Sequence, residues 1–249
     1  MNPIVEDLVQ RHPSLWRAAG HVPHQGPASV PSGHARLDAQ LPGGGWPPGC
    51  LTELMVRALG VGEWRLLAPA LQRLAQTGRH ILLLAPPHIP YAPALAALGL
   101  PTEQFLVVRA RHAADRLWAL EQSLRSNRFG ALVAWLDATT KPEALRRFQL
   151  AARAAQGPVF LFRPFEAQEQ PSPAPLRLAL LPRHYPGLAV QLLKRRGPVS
   201  AEPVLVNVPM ASRALRPLEE AHALDRLPIP ERQPLLRPHT TSLRSPASH

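Results

Sequence analysis

Cysteine is almost missing from this chain. Cys50 is the single one among 249 residues, so neither a disulfide nor a multi-cysteine metal site can form within one copy. Its context, PPGCLTEL, reads as a small apolar residue opening a strand, not as a nucleophile. Lysine is nearly as scarce, with only Lys141 and Lys194. No run approaches the ~18 uncharged apolar residues of a membrane span. The N-terminal stretch MNPIVEDLVQRHPSLWRAAG lacks the apolar core of a secretory signal, so the expected compartment is the cytoplasm. Aromatic residues are sparse. Trp16, Trp46, Trp64, Trp118 and Trp135 do not alternate with basic residues as a single-strand stacking platform would, and Trp118 and Trp135 read as core. The 11 histidines show no H-x-x-x-H ligand spacing, so no metal site is expected.

What the chain does have is proline and arginine. Its 31 prolines are about twice the usual share. The 28 Lys+Arg against 17 Asp+Glu give a formal net charge of +11, nearly all of it guanidinium. Such an excess points to a polyanionic partner, nucleic acid among them, or to an acidic protein surface.

Periodicity predicts an α/β fold: a mostly parallel central sheet flanked by helices and extended by antiparallel strands. Residues 1–20 read as a short amphipathic helical arm and 21–34 as a linker. From residue 35 apolar strand-like runs (CLTELMV, HILLLAP, QFLVVRA, GALVAWLD, PVFLFRP) alternate with helical patterns, the signature of βαβ units. These runs are apolar on both faces, as strands covered by helices on both sides must be. After a polar loop, EAQEQPSPAP, come LRLALLP, LAVQLLKRR and EPVLVNVP, expected to extend the sheet as antiparallel hairpins. The core domain is thus 35–209, and 210–249 is a Pro/Arg-rich tail expected to be largely disordered.

The stretch ELMVRALGVGEWRLL has the strand, glycine turn and helix of a phosphate-binding loop. A working loop needs glycines that free its backbone N–H groups, a lysine for the terminal phosphates and a hydroxyl for magnesium. Here Val56 stands about where the first glycine belongs. Gly60 and Gly62 supply the turn, and Glu63 and Trp64 occupy the lysine and hydroxyl positions. A carboxylate ~4 Å from a phosphate repels it by about 4 kcal/mol at an effective dielectric near 20. Asp137, ending GALVAWLD, is at most a vestigial strand-end acid, and His88 in PPHIP lacks any visible catalytic partner. No catalytic residue and no cofactor is expected.

The run SGHARLDAQLPGGGWPPGCLTELMV resembles the lead-in to the RecA-type core through Gly33, Leu37, Asp38, Leu41, Gly43 to Gly45, Pro48, Gly49 and Glu53. With LTEL and the altered loop, the chain is similar to the ImuA family of RecA-like proteins in damage-inducible mutagenesis cassettes. That resemblance implies a RecA-like fold lacking a functional P-loop, used as a non-catalytic adapter in SOS-induced translesion DNA synthesis. The implied partners are an ImuB-like inactive Y-family polymerase homologue, RecA and an error-prone C-family polymerase. DNA would be reached indirectly. Lys194, Arg195 and Arg196 fall on a basic element that in the family reaches toward a neighbouring subunit, and Arg213, Arg216, Arg232 and Arg237 of the tail are further candidates for partner or DNA contact. Two other readings stand beside it: a SulA-type cell-division inhibitor, another P-loop-lacking relative of the RecA fold, and an active ATP-dependent recombinase. Against the last, no magnesium-dependent ATP hydrolysis is expected; turnover abolished by changing Asp137 would reinstate it.

Overall fold

The computed structural model describes residues 28–209. The expected arm at 1–20, most of the linker and the tail at 210–249 lie outside the described residues.

A short helix, α1 (Ala35–Asp38), leads in. The sheet then holds β1 (Leu51–Val56), β2 (Ile81–Leu84), β3 (Phe105–Val108), β4 (Ala131–Trp135), β5 (Val159–Pro164), β6 (Leu176–Pro182), β7 (Gly187–Lys194) and β8 (Val204–Asn207). Between strands run α2 (Glu63–Ala75), α3 (Ala92–Ala97), α4 (Ala113–Ser126) and α5 (Pro142–Ala152). The strand order is β3-β2-β4-β5-β1-β6-β7-β8. Every pair from β3 to β6 is parallel, and only β6–β7 and β7–β8 are antiparallel. The chain is therefore a mixed α/β protein with a mostly parallel sheet and appended antiparallel strands. LRLALLP opens the expected antiparallel hairpin with β7, but its other edge pairs in parallel with β1, so the parallel part of the sheet runs one strand further than expected.

Side-chain alternation sends the two faces of the sheet into two cores. Leu54, Val56, Phe160, Phe162, Leu176 and Leu178 pack with Leu66, Leu67 and Leu71 of α2 and with Trp46. On the other face Leu51, Leu132, Val159 and Leu161 pack against Leu120 and Leu124 of α4 and Leu145 and Phe148 of α5. Trp46 is fully buried, its ring meeting Phe160 edge-on at 5.2 Å.

The connection from β5 to β6 crosses β1, and it is not an α-helix. A single 3-10 turn, Phe165–Glu169, and an irregular stretch carry it. Parallel neighbours usually use a helix for that crossover because its apolar stripe covers the sheet. Here charge takes the place of the stripe. Glu53, fully buried on β1, receives Arg163 Nη1 of β5 at 3.3 Å and Arg177 Nε of β6 at 2.7 Å. Ser172 Oγ donates to the same carboxylate at 2.8 Å. The guanidiniums also reach the crossover: Arg177 donates to the carbonyls of Ala167 (2.8 Å) and Gln168 (3.3 Å) and Arg163 to Gln170 Oε1 (3.1 Å), while Arg163 Nε is buried with no hydrogen-bond partner. Three charges on three adjacent strands thus hold down a segment with little apolar grip.

Removing one member of such a set leaves buried charge uncompensated, at a cost of about 3–5 kcal/mol. Glu53→Ala should destabilise the chain by that amount in urea unfolding, whereas Asp137→Ala, at the solvent-exposed pair with Arg116, should change it by less than about 1 kcal/mol.

Candidate functional site: a filled loop and an open edge

β1 ends at Val56, and the chain turns through Arg57–Gly62 into α2, where Gly62 at φ 115° precedes the first helical residue. A side chain at that φ would be strained, and the turn directs the N–H groups of Gly60 and Gly62 inward. Their acceptor is Glu63. Its Oε1 takes Gly60 N–H at 2.7 Å and its Oε2 takes Gly62 N–H at 3.0 Å, with the residue only 4 % exposed. The carboxylate therefore sits on the donors that a phosphate would need, at the positive end of the helix dipole. It stands in for the anion from within the chain.

Trp64 closes the neighbouring space. Its ring lies 6.1 Å from that of Trp135 at the end of β4, which stacks on Phe162 of β5 at 5.5 Å. Aromatic rings occupy the strand ends where a loop hydroxyl and a metal-orienting acid would meet. Asp137 is turned outward, 68 % exposed, in a salt bridge with Arg116 at 3.2 Å. Arg57 lies over the Phe165 ring at 4.0 Å, tying the turn to the crossover.

The basic trio separates. Lys194 donates to the Ser172 carbonyl at 2.9 Å, and Arg195 to the carbonyls of Gln40 and Pro198. Arg196 is exposed near Cys50. Burial pushes the Cys50 thiol up to about 11 in spite of Arg196, which makes it a poor nucleophile. Arg213, Arg216, Arg232 and Arg237 lie outside the described residues. Among the described residues no group of three or more His, Cys, Asp or Glu could hold a metal ion, and no helix is long and apolar enough to cross a membrane.

A second feature was not anticipated. β3 is an edge strand, so the run FLVV is covered by helices on neither face as fully as its composition implies. Leu106 and Val107 are exposed, and so are Ile89 and Tyr91 in the β2–α3 loop, at 74 % and 70 %. Beside them lies a groove of about 280 Å³ lined by Pro86, Ile89, Leu95, Phe105, Val107 and Arg109, with His88 on its margin. Trp118, expected in the core, is 66 % exposed on α4. An apolar side chain on an amphipathic helix reads as core from spacing alone; here α4 buries Leu120 and Leu124 instead.

Residues 49–158, from just before β1 to the start of β5, match the family model described as Cell division inhibitor SulA. The Cell division inhibitor SulA of Edwardsiella piscicida is 32 % identical over 103 residues, 41 % of this chain and 61 % of that relative. The comparisons point to SulA, not ImuA. The chain spans about three fifths of the length of this curated relative. The ImuA resemblance is thereby corrected, and with it the translesion adapter role and the partners it implied: the ImuB-like polymerase homologue, RecA and the error-prone polymerase. Its physical basis was too general. The glycine-rich lead-in and the strand–turn–helix frame build the α/β core itself, so they do not distinguish proteins that share that core.

Glu63→Ala should cost roughly 1–3 kcal/mol by orphaning two backbone donors, toward the lower end because water reaches Gly60. Millimolar inorganic phosphate should then raise the melting temperature of the variant and leave that of the native chain unchanged.

Proposed function

We propose that this chain is a non-enzymatic, cytoplasmic inhibitor of cell division of the SulA type, built on a RecA-like core that has lost its nucleotide chemistry. The observation that carries the reading is the family match over residues 49–158. That segment contains both the loop filled by Glu63 and the apolar edge at Ile89, Tyr91, Leu106 and Val107. A central loop strand with a parallel sheet and appended antiparallel strands is the layout the RecA resemblance implies.

Inhibition by binding needs a recognition surface and no turnover. The loop geometry fits the second half of that requirement, since a nucleotide would have to displace a carboxylate held by two N–H bonds. The exposed apolar side chains at this edge of the sheet fit the first half, because apolar surface left open beside a groove offers a protein contact. The partner in this reading is the tubulin-like division protein. The net charge of +11 favours an acidic surface on it and a salt-sensitive association rate.

Expression of the chain in a rod-shaped bacterium should produce filaments that resume division after expression stops. The purified chain should co-sediment with the purified division protein, and Ile89→Asp with Tyr91→Asp should weaken that by at least tenfold. Normal division together with absent binding would reject the reading.

A further inference from the structure

The exposed edge offers main-chain groups as well as apolar atoms. Along a strand, backbone polar groups alternate between its two sides. The carbonyl of Val108 accepts a bond from the Ala85 N–H on the β2 side. Val108 and Leu106 therefore direct their polar groups toward β2. Phe105 and Val107 direct theirs away from the sheet, where no strand among the described residues pairs with them. The side chains of these same two residues, followed by Arg109, line the groove, whose opposite wall is Ala92 and Leu95 of α3.

An open row of donors and acceptors beside an apolar trough, between an edge strand and a helix, is how peptide-binding domains take an extended segment. The main chain supplies affinity and the trough selects alternate side chains. Such edges are ordinarily blunted by proline, lysine or a bulge. β3 contains none of these residues, and its pairing with β2 is in regular register over all four positions. Charge at the rim indicates what flanks the segment. Arg109 and Arg111 follow the strand, with exposed His112 next in sequence and exposed His88 lining the same groove as Arg109, while Glu103 precedes the strand and Asp115 lies in the first turn of α4.

We propose that the edge of β3 binds an extended segment of a protein partner by strand addition, with an apolar side chain seated in the groove and acidic residues against Arg109 and Arg111. This rests on the reading of the chain as an inhibitor that docks on a partner, and it specifies how the docking is made.

The probe is a panel of synthetic ten-residue peptides alternating apolar and polar positions, with Glu or Lys flanks, titrated into the full chain. Val107→Pro deletes one outward N–H and leaves the bonds to β2 untouched, a placement that edge strands tolerate. Ala92→Trp fills the groove and keeps the backbone edge. Glu-flanked peptides should bind, more tightly than Lys-flanked ones, and each substitution should weaken them at least tenfold without lowering the melting temperature. Absence of binding by every peptide, or binding by either variant as tight as that of the native chain, overturns the proposal. So does a native dimer that Val107→Pro dissociates in sedimentation velocity, which would give the edge to a second copy. Peptide binding without binding of the division protein would keep this site and reject the functional reading. Undiminished binding of the division protein by Val107→Pro would do the reverse.

Discussion

One buried carboxylate sets the terms for the middle of this sheet. Glu53 lies on the central strand with an arginine from each neighbouring strand, and the surplus positive charge is spread over carbonyls of the crossover above it. Burying charge is costly unless the remaining donors are satisfied, so lifting the crossover would take from Arg177 two carbonyl acceptors and from Arg163 the Gln170 oxygen. This explains how β6 can sit parallel to β1 with no helix between β5 and β6. It also fixes the end of β5, on which Trp135 stacks, with Trp64 tilted against Trp135. The loop after β1 is therefore held from two sides: by the core beneath α2 and by the crossover beside it, through Arg57 on Phe165.

The loop and the edge divide the labour of the molecule. At the strand ends every group that would meet a phosphate is satisfied within the chain. Glu63 takes the N–H donors, aromatic rings take the metal's place, and Asp137 answers Arg116. At the β3 side, apolar side chains and outward backbone groups have no counterpart among the described residues. The satisfied site lies at the end of the central strand and the open surface at the edge of the same sheet.

Much of this was legible in the sequence. The alternation of apolar runs and helical spacing yielded the five parallel strands from β1 to β5, and Glu63 and Trp64 marked the turn that follows β1. That Glu63 grips the loop amides was not legible, because the contact depends on the φ of Gly62. The parallel placement of β6 was missed since a non-helical crossover has no period. Its trace was present as one charge in each of three apolar strands: Glu53 in LTELMV, Arg163 in VFLFRP and Arg177 in LRLALLP. The exposure of Trp118 and of FLVV was hidden for a different reason. Edge position is a property of strand order, and no local pattern encodes it.

The filled loop has a consequence for control. Proteins that hold a phosphate in such a turn change state as nucleotide is bound, cleaved and exchanged, and the cellular ratio of triphosphate to diphosphate acts on them directly. A turn closed by its own covalently attached carboxylate has no exchange step and a single resting geometry. Its anion is tethered to the turn, so its presence there does not depend on the supply of any metabolite. In the functional reading proposed above, such a protein keeps no clock, and the rates of its synthesis and removal become the variables through which a cell can set its effect.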